Sequence, residues 1–276
     1  MTIEVRTTLL AIAISILAVV GTLRVAIAGG ESAASTTIGV AIMHGKGGLP
    51  TRHVADLETF LAERHFLVAN LEMPWSGRRD YDVDVAAAEA ELSAALETLR
   101  AKGAKKLFVA GHSQGGMFAL YFAGRNPVDG AIAIAPGGYA DGPLTRQKLA
   151  ESVDAARQLI LAGKASEKAR LLDFEGAKGT YPIIVKPDIY LTWFDPDGTM
   201  TTATAIKKMS AQTPVLFIVP TNDHPGLLKV KQSLFDALPK HPRSRLYEPN
   251  ADHLGAPSAS REEIARWIHE IASSTQ

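Results

Sequence analysis

The run 105–123, KKLFVAGHSQGGMFALYFA, constrains this chain more than any other stretch. Leu107, Phe108, Val109 and Ala110 form a short apolar run of buried-strand type, and residues 117–123 continue as an apolar segment compatible with a helix. Between them stands Gly111-His112-Ser113-Gln114-Gly115, a G-x-S-x-G pattern. In such a strand-to-helix turn the serine is held in a strained conformation, and its neighbours are small so that backbone can pass close. Gly116 and Ala119 let the helix lie near the sheet, which brings its N-terminal amides beside Ser113, where a developing oxyanion needs donors. The spacing predicts a nucleophilic serine at the end of a buried strand.

The rest of the chain repeats an alternation of strand and helix. Residues 38–43 read as a strand ending in His44-Gly45-Lys46-Gly47-Gly48. Residues 51–64 carry Val54, Leu57 and Leu61 at helical spacing, 66–71 form the next strand, and 84–102 an amphipathic helix with Val85, Ala88, Leu92, Leu96 and Leu99 on one stripe. Further strands are expected at 131–135, 214–219 and 245–247. A Ser260-x-x-Glu263 capping box is expected to open a last helix that buries Ile264, Trp267, Ile268 and Ile271. This order implies a mostly parallel sheet with helices on both faces. The alternation fails between residues 139 and 210, where 144–162 look helical and Tyr181, Tyr190, Trp193 and Phe194 follow without clear period. An insertion of that size is expected to be a lid, giving an apolar wall for an acyl or alcohol group. Trp193 and Phe194 are candidate pocket residues. Trp75, in the loop after 66–71, either lines the pocket or packs that loop onto the domain.

The strand ends carry the chemistry-bearing side chains. Asp223 follows the strand at 214–219, and His253 follows the one at 245–247. A serine hydroxyl is a poor nucleophile until a base removes its proton, and the base in turn needs an acid to orient it. Ser113, His253 and Asp223 fit those three roles. His44 reads as a loop-shaping histidine, His112 as a packing one, and Asp195, in Asp-Pro-Asp-Gly, as a turn residue and reserve acid.

The chain order Ser, Asp, His is that of the α/β-hydrolases, and GHSQGG, MHGKGG, PTNDH and NADHLG resemble the corresponding segments of that superfamily. The resemblance covers roughly residues 38–271. It implies an α/β-hydrolase fold with a reduced, mostly parallel sheet of about six strands, because too few residues precede Ile38 for the first two strands of the full fold. It also implies an oxyanion hole made by the backbone N–H groups of Gln114 and Lys46. The activity implied is cleavage of a carboxylic ester through an acyl-enzyme, with no cofactor. Acyl transfer, thioester or amide cleavage would use the same residues, and a non-catalytic binding protein on the same scaffold is the alternative of a different class.

Composition narrows the partners. The 276 residues carry no net formal charge and no Lys/Arg run longer than a pair, which gives no footprint for nucleic acid. Zero cysteine excludes a thiol nucleophile, disulfides and any Cys-based zinc site, and the eight histidines show no metal-ligand spacing. A small-molecule ester or acyl compound is therefore the expected partner; oligomeric state is not legible. At the N-terminus, Arg6, an apolar run over 9–20 and Val25-Ala26-Ile27-Ala28 read as a signal peptide with cleavage after Ala28, implying export to a periplasm or the outside. Left uncleaved, residues 7–23 would be a short membrane anchor. The expected domain then spans 29–276, with the lid insertion at about 139–210.

Overall fold

A computed structural model of the chain describes residues 37–274; the expected signal peptide or anchor lies outside them. The first half runs β1 (Ile38–Met43), α1 (Ala55–Glu63), β2 (Leu67–Leu71), α2 (Val85–Ala101), β3 (Lys106–His112), α3 (Gln114–Ala123) and β4 (Gly130–Ile134). After it come α4 (Pro143–Leu161), β5 (Ala169–Glu175), β6 (Gly179–Val185), α5 (Pro187–Phe194) and a short π-helical turn, Ala203–Lys207. The chain closes with β7 (Val215–Ile218), α6 (Pro225–Asp236), β8 (Arg245–Tyr247), α7 (Ala256–Ala259) and α8 (Arg261–Ala272).

Six strands form one parallel sheet in the order β2-β1-β3-β4-β7-β8. Both faces are covered, so the strands are near-continuously apolar and successive residues feed opposite cores. Val40, Ile42, Phe108, Ala110, Ile132, Ile134, Leu216 and Ile218 face α1 and α8 through Leu57, Leu61, Ile264, Trp267 and Ile268. Their neighbours Ala41, Met43, Val109, Ala131, Ala133 and Phe217 face α2 and α3. α3 is buried along its whole length, which explains why its sequence carries no polar stripe. Among the described residues no helix is long and apolar enough to cross a membrane.

Two local expectations need correction. The aperiodic stretch holds an antiparallel hairpin, β5 paired with β6, in register Leu171↔Ile183 and Asp173↔Tyr181. Its alternation was hidden because an inward position of β5 is occupied by a charged residue, Asp173, which is fully buried. The capping box at Ser260 does not form. α7 runs into α8, the Ser260 N–H donates to Ala256 O at 3.1 Å, and the Ser260 side chain makes no capping bond. Glu263 instead pairs with Arg245 at 3.3 Å and with Arg266.

Candidate active site

Ser113 stands between β3 and α3 at φ 55°, ψ −115°. A non-glycine residue in such a region costs on the order of 1–3 kcal/mol and persists only where its surroundings fix it. Here Ser113 N–H donates to Ile134 O at 2.8 Å, and Ser113 O accepts from Gly137 N–H at 3.1 Å. The flanking glycines are required by space: a Cβ on Gly111 would lie 2.0 Å from Gly115 O, and one on Gly115 would lie 2.7 Å from the carbonyl oxygens of Met43 and His44. The turn thus presses against the loop that follows β1. Gln114 opens α3, so its N–H belongs to the first turn, whose amides have no partner inside the helix.

The loop after β1 is fixed from several sides. His44 is buried; its Nε2 accepts from Met73 N–H at 3.0 Å, so its proton sits on Nδ1 and is donated to Gly45 O at 2.7 Å. Burial holds its pKa below the ordinary imidazole value. The His44 carbonyl accepts from Trp75 Nε1 at 2.8 Å. Gly47 N–H donates to Trp75 O and Gly48 N–H to Gly45 O. Among the described residues no acceptor takes the Lys46 amide. The Lys46 side chain turns inward, with Nζ donating to Asp173 Oδ1 at 2.5 Å and to Phe174 O at 3.1 Å.

Asp223 and His253 come from the loops after β7 and β8, which continue the strand pairing through a parallel bridge between Asn222 and Asp252. That bridge sets the two side chains side by side: His253 Nδ1 lies 2.8 Å from Asp223 Oδ1. The same oxygen accepts from His224 N–H at 2.6 Å, and the Asp223 carboxylate is fully enclosed. With Nδ1 engaged, Nε2 is the ring nitrogen of His253 left for a hydroxyl. His112 donates through Nε2 to His253 O at 2.8 Å, and the two rings lie tilted against each other with centroids 4.9 Å apart. Burial, then the neighbouring His253, pulls the pKa of His112 down to about 3. Asp195 serves the turn it was read as, accepting from Arg157 at 2.9 Å and from Asp197 N–H at 3.0 Å.

Ser113, Asp223, His253 and Lys46 all border two adjoining cavities, one of about 530 Å³ and one of about 150 Å³, and Gln114 borders the smaller. The larger is lined by Arg52, His53, Lys178 and Asn222 together with Leu49, Ala177, Pro225 and Leu254, and its surface is more apolar than polar. Ala135, Gly137, Gly138, Phe174 and Leu227 shape the smaller. The insertion reaches both through the end of β5 and the turn after it, with Glu175 common to the two, and reaches the smaller also through Thr145 of α4. The aromatic pocket residues expected from sequence do not contribute. Trp75, Trp193 and Phe194 are all buried, and they pack on one another and on Phe118 and Tyr81, with ring centroids 4.9–5.9 Å apart. Their polar edges face inward as well: Trp75 Nε1 serves His44 O, and Trp193 Nε1 donates to Val83 O at 2.9 Å. Sequence reading passed over Asp173 and Tyr81, because nothing local marks a pairing between residues so far apart in the chain.

The family model described as the alpha/beta hydrolase family matches residues 40–267. None of the curated proteins matches the sequence. Among solved structures, one from work on LipS and LipT, two metagenome-derived lipolytic enzymes, is 19% identical with a TM-score of 0.59, over 86% of this chain and 95% of that one. The monoacylglycerol lipase of Paleococcus ferrophilus is 20% identical, TM-score 0.60, over 84% and 94%. Est1E from Butyrivibrio proteoclasticus, solved with ferulic acid bound, is 16% identical, TM-score 0.58, over 88% and 93%. At these identities the likeness is one of fold.

Proposed function

The chain belongs to the alpha/beta hydrolase family, and on that premise we propose that it is a serine hydrolase of small carboxylic esters. The observation that carries this reading is the 2.8 Å contact between His253 Nδ1 and Asp223, at a cavity that Ser113 shares. In the proposed reaction His253 Nε2 takes the Ser113 proton as Oγ attacks the acyl carbon, and Asp223 stabilises the imidazolium. The Gln114 and Lys46 amides hold the oxyanion of the tetrahedral intermediate. Collapse expels the alcohol, which takes its proton from His253, and water repeats the attack on the acyl-enzyme.

Cavity shape supports a small substrate. The smaller cavity, about 150 Å³, suits a short acyl or alcohol group. The wider cavity, with Leu49, Pro225 and Leu254 beside Arg52, His53 and Lys178 in its wall, has room for the second half of the ester. Hydrolysis of a chromogenic ester series, from acetyl to decanoyl, tests this reading. Turnover is expected to peak at short acyl chains, and Ser113→Ala to lose it by a factor on the order of 10⁴ or more. Absence of turnover on every ester, together with no labelling of Ser113 by a fluorophosphonate, would sink the hydrolase reading. Adding an alcohol, or substituting a thioester or amide, reads out acyl transfer, thioesterase or amidase activity through the same residues.

A further inference from the structure

Asp173 is the charged side chain that the fold has least reason to bury. It sits at an inward position of β5 whose apolar counterparts are Leu171, Ile183 and Val185, and its side chain is fully enclosed. An isolated carboxylate there would be strongly destabilising, and an apolar residue of similar volume is often as stable as a buried ion pair or more so. The carboxylate is instead saturated by donors from separate parts of the chain. Oδ1 accepts from Lys46 Nζ at 2.5 Å and Phe174 N–H at 2.6 Å; Oδ2 accepts from the hydroxyls of Tyr181 at 2.9 Å and Tyr81 at 3.1 Å.

Two of those donors lead to the proposed oxyanion hole. Lys46 carries one of its amides. The Tyr81 hydroxyl also lies 3.2 Å from the Gln114 side-chain Oε1. A phenol has one proton, and the carboxylate is the stronger acceptor. With the Gln114 amide turned so that Nε2 faces Tyr81, Gln114 donates to the phenol oxygen and the phenol donates to Asp173. Tyr81 is held for this contact at φ 56°, next to Asp80 at φ 50°. Asp80 is itself tied to the hairpin, accepting from Ile184 N–H at 3.1 Å. Around Lys46 the backbone is Gly45, Gly47 and Gly48, whose bonds to Trp75 and within the loop hold it on one side, and the Lys46 side chain adds an anchor to the hairpin.

We propose, on the basis of the hydrolase reading above, that Asp173 is a positioning residue of the oxyanion hole. It braces Lys46 directly and Gln114 through Tyr81, so that two amides from distant segments stay aimed at one point. The inserted hairpin is by this inference a fixed part of the catalytic apparatus.

The test uses the full chain as wild type, Asp173→Asn, and the double variant Lys46→Met/Asp173→Asn, which leaves no buried charge unpaired and keeps the question open should the single variant not fold. For each, kcat and KM on the preferred ester, the rate of fluorophosphonate labelling and the affinity of a matched trifluoromethyl ketone are measured, beside the melting temperature. That ketone adds Ser113 and places an alkoxide in the oxyanion hole. A misplacement of about 1 Å costs roughly 10²-fold in rate. Expected in both variants is a loss of kcat of about 10- to 100-fold with KM changed by less than about 3-fold, and ketone affinity falling by about the same factor as kcat/KM. Wild-type kcat and ketone affinity in a folded Asp173→Asn, or full recovery of kcat in the double variant, overturns the proposal while leaving a hydrolase whose Ser113→Ala variant is dead. A wild type that neither turns over nor labels overturns both.

Discussion

His112 Nε2 donates to the carbonyl oxygen of His253 across 2.8 Å, so the residue before Ser113 holds the backbone of the candidate base. The carbonyl can only accept, which fixes His112 in the tautomer protonated on Nε2. Replacing it should act on both neighbours. His112→Ala is expected to lower stability by about 2–4 kcal/mol, through a cavity and an unpaired carbonyl, and to reduce kcat more than KM. Urea denaturation and steady-state kinetics check this, and a variant as stable as wild type would sink it.

The same histidine makes stability depend on pH. Its folded pKa of about 3 lies below the 6.5 of an ordinary imidazole, so between those values the unfolded chain binds the extra proton. The contribution is fully present above pH 6.5 and is lost progressively as pH falls toward 3. At about 1.4 kcal/mol per pH unit, about 2 kcal/mol is gone at pH 5. Buried His44, also lowered, adds in the same direction. Urea midpoints at pH 7.5 and 5 measure the fall, and His112→Gln should flatten it; an equal slope in that variant would assign the effect to other groups.

Glycines of this chain should differ sharply in what they tolerate. At Gly111 a methyl group would lie 2.0 Å from Gly115 O, whereas at Gly163, φ +76°, nothing lies within 4 Å. Gly111→Ala is expected to cost more than about 4 kcal/mol or to prevent folding. Gly163→Ala should cost only the about 1–2 kcal/mol of a left-handed alanine. Comparable melting temperatures for the two would contradict the elbow geometry.

Trp75 separates packing from recognition. Trp75→Phe removes the donor to His44 O and should cost about 1–3 kcal/mol, while the acyl-length preference of the ester series stays where it was. A shifted preference would return this side chain to the cavity wall.

What the sequence by itself determined rests on signals carried by neighbouring residues. The periodicity of residues 84–102 and the apolar runs at 38–43, 107–110 and 131–135 specify strand or helix locally, and their alternation leaves a parallel sheet as the simple arrangement. Gly111 and Gly115 mark the elbow because close backbone approach admits no Cβ there. That Asp223 and His253 lie at the same edge of the sheet was legible because a loop at the end of a parallel strand lies there wherever the strand is placed. Only the tertiary structure decided which way Trp75, Trp193 and Phe194 point, since an aromatic suits a cavity wall and a core equally well until its neighbours are known. The same holds for Ser260, whose capping pattern was overridden when α7 supplied the carbonyl its N–H needed. Asp173 is the clearest case. A charge in LLDFE reads as an exposed residue, and it becomes a buried hub only when Lys46, Tyr81 and Tyr181 converge on it, because such a pairing is fixed by the folded path of the chain and by nothing local.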